Sequence, residues 1–215
     1  MLFKNLLNLR DLRETKIQKS SKKINEHQRD MTLKETKKDS YIFTSKRLGF
    51  RDWLPSDIEI MSRINSDPKV MEFFPSLQSE KETIEFIDRM QSQLRLNGFC
   101  YFAVDKLENS EFIGFIGLSE QNFESDFTPC IDIGWRLEAN TWNNGYATEG
   151  AKRCLKYAFH DLGIKKINSI APLINLRSEA VMKKIGMQKV KNFIHPRLNG
   201  ATNLQECVLY EILKN

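Results

Sequence analysis

The sequence has only four cysteines and three histidines in 215 residues, and none of them cluster. Cys100, Cys130, Cys154 and Cys207 form no C-x-x-C pair, and His27, His160 and His195 are far apart. Zinc sites draw on ligands at short spacings, so no metal is expected. Scattered thiols of this kind suit a reducing, cytoplasmic setting. Long apolar runs are missing too. The longest lies around Phe112–Leu118, whereas a membrane helix needs about 20 residues. Lys4 and Arg10 interrupt the apolar N-terminal residues, and no small-residue cleavage site follows, which argues against a secretory signal. The phosphate loops G-x-x-x-x-G-K-[ST] and G-x-G-x-x-G are both absent. Nucleotide hydrolysis and dinucleotide binding of those kinds lose their motif support.

The first 40 residues lack glycine, proline, tryptophan and cysteine, and Phe3 is their only aromatic. They hold 11 Lys and Arg against 6 Asp and Glu, which accounts for the whole net charge of +5. The remaining residues carry 22 charges of each sign, so the body offers no electrostatic basis for binding nucleic acid. Residues 1–40 read as a basic, disordered or loosely helical extension. Phe3, Leu6, Leu7 and Leu9 form at most a short amphipathic stripe, and Met31 is a second candidate start. Residues 41–215 read as one domain, a length able to bury a core without disulfides.

Within that body, strand and helix patterns alternate. Tyr41–Arg51 reads as a strand, and Ser56–Asn65 as a helix following Pro55. Val70–Pro75 is an apolar loop or short helix. Ser79–Leu96 shows a helical period closed by Asn97-Gly98. Cys100–Asp105 and Glu111–Leu118 form a predicted hairpin. In Cys130–Leu137, Ile131, Ile133, Trp135 and Leu137 alternate with Asp132, Gly134 and Arg136, so the two sets face opposite sides of a strand. Lys166–Ala171 and Lys189–Ile194 read as further strands.

The most informative segment is Trp142-Asn143-Asn144-Gly145-Tyr146-Ala147-Thr148. It is a polar loop that runs directly into an amphipathic helix ending at Gly163. A helix N-terminus leaves backbone N–H groups unpaired and carries about half a positive charge, so it attracts anions. Gly145 lets a phosphate approach the backbone, and Asn143 and Asn144 add side-chain donors. Downstream, Asn175-Leu176-Arg177-Ser178 opens a short helix, Glu179–Ile185, capped by Gly186.

Taken in order, I-G-W-R-L (133–137), W-N-N-G-Y-A-T-E-G (142–150), A-F-H-D-L-G (158–163), N-L-R-S (175–178) and K-K-I-G-M (183–187) resemble the GNAT acetyltransferases, in particular the RimJ/RimL-like branch. S-K-R-L-G-F-R-D-W (45–53) and N-S-D-P-K-V-M-E-F-F-P (65–75) are similar to that branch's opening strand and acceptor-side segment. The resemblance spans residues 41–213. It implies an α/β (α+β) fold whose mixed central sheet has splayed parallel strands and flanking helices. It also implies an acyltransferase that moves acetyl from acetyl-CoA to a primary amine, on a protein N-terminus or a small molecule.

The resemblance also suggests residue roles. The splayed strands would be Cys130–Leu137 and Lys166–Ala171. Backbone groups of Ile133, Gly134, Trp135, Arg136 and Leu137 would pair with the pantetheine arm. The pyrophosphate would lie on the N–H groups of Asn143, Asn144, Gly145, Tyr146, Ala147 and Thr148. Asn175 would bond the pantetheine, and Ser178 would lie near the thioester sulfur. The sequence departs from the wider family at Trp142, where Gln or Arg is usual, and at Met182, where many members carry an acidic tyrosine.

Acyl transfer to an amine needs a base, because a protonated amine has no lone pair. Asp132 is the first candidate, with Glu120 and Glu206 behind it. Ser178 stands in for the missing tyrosine, its ordinary alternative being a helix-capping hydroxyl. Phe73 and Phe74 are candidates for the acceptor pocket, against a plain core role. Trp135 and His160 read as packing and surface residues. A non-catalytic acyl-CoA-binding module is the alternative reading, and a domain whose basic tail contacts RNA is a third. The expected partners are acetyl-CoA and an amine, with no membrane span, in a monomer or homodimer.

Overall fold

A computed structural model describes residues 41–198, 200 and 203–214, so the expectations for residues 1–40 and Met31 lie outside the described residues. The stretch expected as one strand over Tyr41–Arg51 is a tight hairpin, β1 (Phe43–Thr44) and β2 (Leu48–Arg51). Ser45 makes the turn: its N–H bonds the Leu48 carbonyl, and its hydroxyl accepts from the Leu48 N–H. A turn residue that satisfies its own backbone this way competes with continued strand.

Helix α1 (Asp57–Ser66) and helix α2 (Glu80–Asn97) follow. A reciprocal Ser79–Glu82 capping box starts α2, and Gly98 closes it in the left-handed conformation. Then come β3 (Tyr101–Lys106), β4 (Glu111–Gln121) and β5 (Cys130–Leu137) as an antiparallel meander. Helix α3 (Tyr146–Lys156) continues into a single π-turn at Tyr157–Asp161, so the expected helix keeps its length but loosens its last turn. The chain ends with β6 (Lys166–Pro172), α4 (Leu176–Lys184), β7 (Gln188–Ile194) and β8 (Glu206–Leu213). The sequence reading missed β8, which inserts between β6 and β7.

The eight described strands form one mixed sheet in the order β1-β2-β3-β4-β5-β6-β8-β7, and only the β5–β6 pair is parallel. Helix α3 covers the face bearing Ile116: Gly150 comes so close that a Cβ there would lie 2.4 Å from the Ile116 side chain. The opposite face is covered by α1 and α2, with Trp53, Phe86 and Phe115 packed together over it. Among the described residues, no helix is long and apolar enough to cross a membrane.

One buried ion cluster ties the first elements together. Arg51, only 2% exposed, donates Nη1 to Asp57 Oδ2 at 2.6 Å and Nη2 to Asp57 Oδ1 at 2.9 Å. It also donates Nε to Asp105 Oδ2 at 2.9 Å and Nη2 to Asp105 Oδ1 at 2.8 Å. Burial would lower the Arg51 pKa, but the two carboxylates outweigh it and hold the pKa above the ordinary value. The cluster joins β2 to β3 and to the first turn of α1. Removing the cation leaves two buried carboxylates without it, so Arg51→Ala should cost about 3–5 kcal/mol of stability. Urea unfolding measures this, and a loss below about 1 kcal/mol would contradict it.

Candidate active site

β5 and β6 share one registered pair, Asp132 with Asn168, and then part. On its other edge β5 pairs with β4 from Cys130 to Leu137. The Glu138 N–H bonds Ile113 on the β4 side, while the Ser169 hydroxyl donates to the Ile133 carbonyl at 2.9 Å from the β6 side. Along an antiparallel strand the edge groups alternate. Trp135 therefore turns its N–H and C=O toward β6, into the opening between the strands. The Leu137 carbonyl points the same way and accepts from the Trp142 indole N–H at 2.9 Å.

The loop beyond β5 is shaped by two left-handed residues, Asn143 (φ 62°) and Gly145 (φ 78°). Gly145 is the N-cap of α3 and supplies no capping side chain. The first intrahelical bond runs from Glu149 N–H to the Gly145 carbonyl, so the N–H groups of Tyr146, Ala147 and Thr148 have no helical acceptor. The Asn144 amide is not a free donor as expected: it holds the loop by donating to the Thr141 and Trp142 carbonyls, both at 3.1 Å. A cation missed in the sequence stands beside the loop. Arg47 bonds Glu149 at 2.6 Å and the Asn144 carbonyl at 3.0 Å, and lies over the Tyr146 ring. A cleft of about 500 Å³ opens at this end of β5, lined by Asp67, Lys69, Glu138, Ala139, Asn140 and Trp142.

On the α1/α2 side of the sheet, Asp132 is 7% exposed. Its Oδ2 accepts from the Tyr101 hydroxyl at 2.6 Å, and its Oδ1 has no hydrogen-bond partner. Burial pushes the Asp132 pKa up to about 7, against the lowering pull of Tyr101 and the Ile170 backbone. Asn168, directly in register, is also buried, and neither of its side-chain polar atoms has a partner. Tyr101 was not among the expected site residues. It reaches Asp132 from two strands away because Tyr101, Gly117 and Gly134 are consecutive partners across β3, β4 and β5. A Cβ on Gly134 would lie 3.1 Å from the tyrosine ring, so the glycine makes room for it. Interior strand glycines were the available signal, but their alignment depends on register.

A domain model described as "Acetyltransferase (GNAT) domain" matches residues 47–188. The chain belongs to the GNAT acetyltransferases. The uncharacterized N-acetyltransferase YnaD of Bacillus subtilis is 29% identical over 147 residues, covering 68% of this chain and 82% of that protein. A GNAT-family acetyltransferase structure from Bacillus anthracis matches with a TM-score of 0.67 at 25% identity, covering 80% of this chain and 97% of that one. The spermidine N-acetyltransferase of Vibrio cholerae, solved with CoA and spermine, has the same fold, with a TM-score of 0.62 at 19% identity over 78% of this chain and 95% of that one. The protein is an acyltransferase of a family that uses acetyl-CoA, and its mixed splayed sheet is the expected GNAT fold.

The other candidates lie on the neighbouring elements. Asn175 is the N-cap of α4, its Oδ1 accepting from the Ser178 N–H at 3.1 Å. Capping therefore falls to Asn175 and not to the Ser178 hydroxyl, which makes no hydrogen bond among the described residues. Met182 is core. Phe73 and Phe74 are outside the core: Phe73 lies under Arg177, and Phe74, 37% exposed, lies over Arg136. Glu120 pairs with Ile131, one residue from Asp132, and so belongs to the opposite face. Glu206 is exposed and bonded to Asn192.

The raised carboxyl carries a stability signature. Asp132 keeps its proton to about pH 7 in the fold, but loses it near pH ~4 when unfolded. The resulting stabilisation is full below pH ~4 and is lost as the pH rises toward 7. Asp132→Asn should remove that slope and gain on the parent by about 1–4 kcal/mol by pH 8. Urea midpoints at pH 4 and pH 8 measure it, and parallel pH profiles for the two proteins would contradict it.

Proposed function

We propose that the protein transfers the acetyl group of acetyl-CoA to a primary amine by direct attack on the thioester, with Asp132 as general base. The observation that carries this reading is the buried carboxyl with a free Oδ1 at the point where β5 and β6 part. A base with a pKa of about 7 is half ionised near neutrality. It is therefore poised to accept the proton of an incoming ammonium, which ordinarily titrates at about 8 to 10.4. The neutral amine then attacks the thioester carbonyl carbon. The C–N bond forms, the C–S bond breaks with its electron pair leaving on sulfur, and the proton shed by the new amide nitrogen goes to the departing thiolate. A thiol of pKa ~8.5 is a fair leaving group without an acid. Met182 in the tyrosine position is therefore compatible with turnover, and Ser178 needs only to lie near the sulfur.

The residues present fit acetyl-CoA. The outward N–H and C=O of Trp135, within Ile133–Leu137, can pair with a pantetheine amide as a strand would. The N–H groups of Tyr146, Ala147 and Thr148 suit the pyrophosphate, and Arg47 adds a cation beside them. Asn175 still has its amide donor to offer the pantetheine arm. Phe73 and Phe74 stand at the acceptor side. Residues 41–215 then form a single catalytic domain with the acceptor on the α1/α2 face.

Calorimetric titration tests the binding half of this reading. Acetyl-CoA should bind in the micromolar range and NAD should not; folded protein that binds neither would overturn it. Asp132→Asn should lower kcat by about 10²–10⁴-fold with little change in acetyl-CoA affinity. The kcat/KM of the parent should rise with pH through about 7, where Asp132 ionises. Tyr101 acts as a positioning residue whose hydrogen bond lowers the Asp132 pKa. Tyr101→Phe should therefore move that rise to higher pH, and an unmoved profile would exclude the role.

A further inference from the structure

Two arginines are buried on this sheet, and their surroundings differ. Arg51 is held by two carboxylates. Arg136, 9% exposed, has no carboxylate partner among the described residues. Its hydrogen bonds all leave from Nη1, to Asn65 Oδ1 at 2.6 Å and Gln78 Oε1 at 3.2 Å, and both acceptors are neutral amides. Nε is buried without a partner, and Nη2 makes no hydrogen bond. The guanidinium carbon sits 4.1 Å from the Phe74 ring centroid and 5.5 Å from that of Phe115. Burial lowers the Arg136 pKa to about 10, so the group remains a cation at neutral pH.

An uncompensated buried cation costs several kcal/mol. The residues around Arg136 hold it in place without neutralising it: two amides fix one nitrogen, two rings lie against the guanidinium, and the Nε–Nη2 edge of the fork is left over. That edge matches the two oxygens of a carboxylate. Alternation along β5 puts Arg136 on the same face as Asp132, about 13 Å along the strand. Between them Gly134 carries no side chain, and the Tyr101 ring lies over it. One face of one strand thus offers a base at one end and an unmatched cation at the other.

We propose that Arg136 binds a carboxylate of the acceptor, so that the substrate is an amine that also carries a carboxylic acid. This rests on the acyltransferase reading and narrows its acceptor class to amino acids whose amine lies several bonds from the carboxylate, ω-amino acids and lysine among them. The amine end lies toward Asp132 and the acid end against the Nε–Nη2 edge. Phe74 closes over the pair from the side nearer solvent.

The test uses the full chain loaded with acetyl-CoA, whose binding is measured first by calorimetry. The probes are the protein amino acids and the straight-chain ω-amino acids of two to six carbons, each compared with its decarboxylated amine. Saturable binding, followed by thiol release, should favour at least one amino acid over its matched amine by about 10–100-fold. Arg136→Lys keeps the charge but loses the fork, and should bring that ratio down toward one. Circular dichroism confirms that the variant is folded, and the parent's own ratio stands without it. Equal use of amines with and without the carboxylate would overturn the proposal, as would binding of no amino acid by acetyl-CoA-loaded protein or an unchanged ratio in Arg136→Lys. Failure of acetyl-CoA to bind would instead overturn the acyltransferase reading on which it rests.

Discussion

β5 and β6 are in register only at Asp132 and Asn168 and then diverge, and the proposed chemistry depends on that parting. A parallel pair left unzipped in the middle of a sheet would normally be penalised, because buried backbone groups require partners. The protein covers part of the shortfall itself. Ser169 bonds the Ile133 carbonyl, and Trp142 bonds the Leu137 carbonyl. Trp135, between them, keeps its backbone groups toward the opening. The strand edge that remains has the length and hydrogen-bonding character of an extended amide chain. The same divergence brings Asp132 to the last closed point of the sheet, where its carboxyl is buried but half its acceptor capacity is unused.

The buried charges follow one logic with two outcomes. Where charge serves the fold, it is matched locally: Arg51 is clasped by Asp57 and Asp105, and the cluster locks β2, β3 and α1 together. On the α1/α2 face of β5, charge is held but unmatched. Asp132 has one hydroxyl donor and a free oxygen, and Arg136 has two amides and a free edge. Asn168 adds a buried amide with both polar atoms unpaired. Unsatisfied groups of this kind are few in native proteins. Here three of them line one face of two adjacent strands, as expected where a substrate completes the set.

Much of the fold was legible because local patterns carry it. Alternation marked β5, Asn97-Gly98 marked the end of α2, and Gly145 before an amphipathic run marked the start of α3. Those signals operate within a few residues of one another. The order of several motifs along the chain did the rest, identifying the family where no single motif would have. The misses share a different cause. β8 pairs with β6, which lies well back in the chain, as well as with the preceding β7, and nothing local distinguishes it from a terminal apolar run. The β1–β2 hairpin turns at Ser45 through a hydroxyl bond that has no period to read. Tyr101 becomes a site residue only once β3, β4 and β5 are in register, because two glycines must line up beside it. Asp132 could be named from its strand face, whereas the reason for its raised pKa lies in the surrounding burial. Arg136 was placed in the site for its backbone, and its side chain became informative only when its partners proved to be amides.

The absent tyrosine and the raised aspartate belong to one chemical account. In the proposed reaction the leaving group is a thiolate whose conjugate acid is already weakly acidic, so an acid at the sulfur contributes little. The harder task lies at the nitrogen, where an ammonium must lose its proton before it can attack. An ordinary aspartate, with a pKa near ~4, is too weak a base to take that proton efficiently at neutral pH. Burial closes part of the gap by raising Asp132, and the Tyr101 hydrogen bond keeps the carboxyl from rising further and remaining protonated. Replacing the tyrosine position with Met182 fills the core at the sulfur side with an inert side chain. The catalytic demand is then concentrated on the α1/α2 face, where the base, its tyrosine and the unmatched arginine stand on or across a single strand.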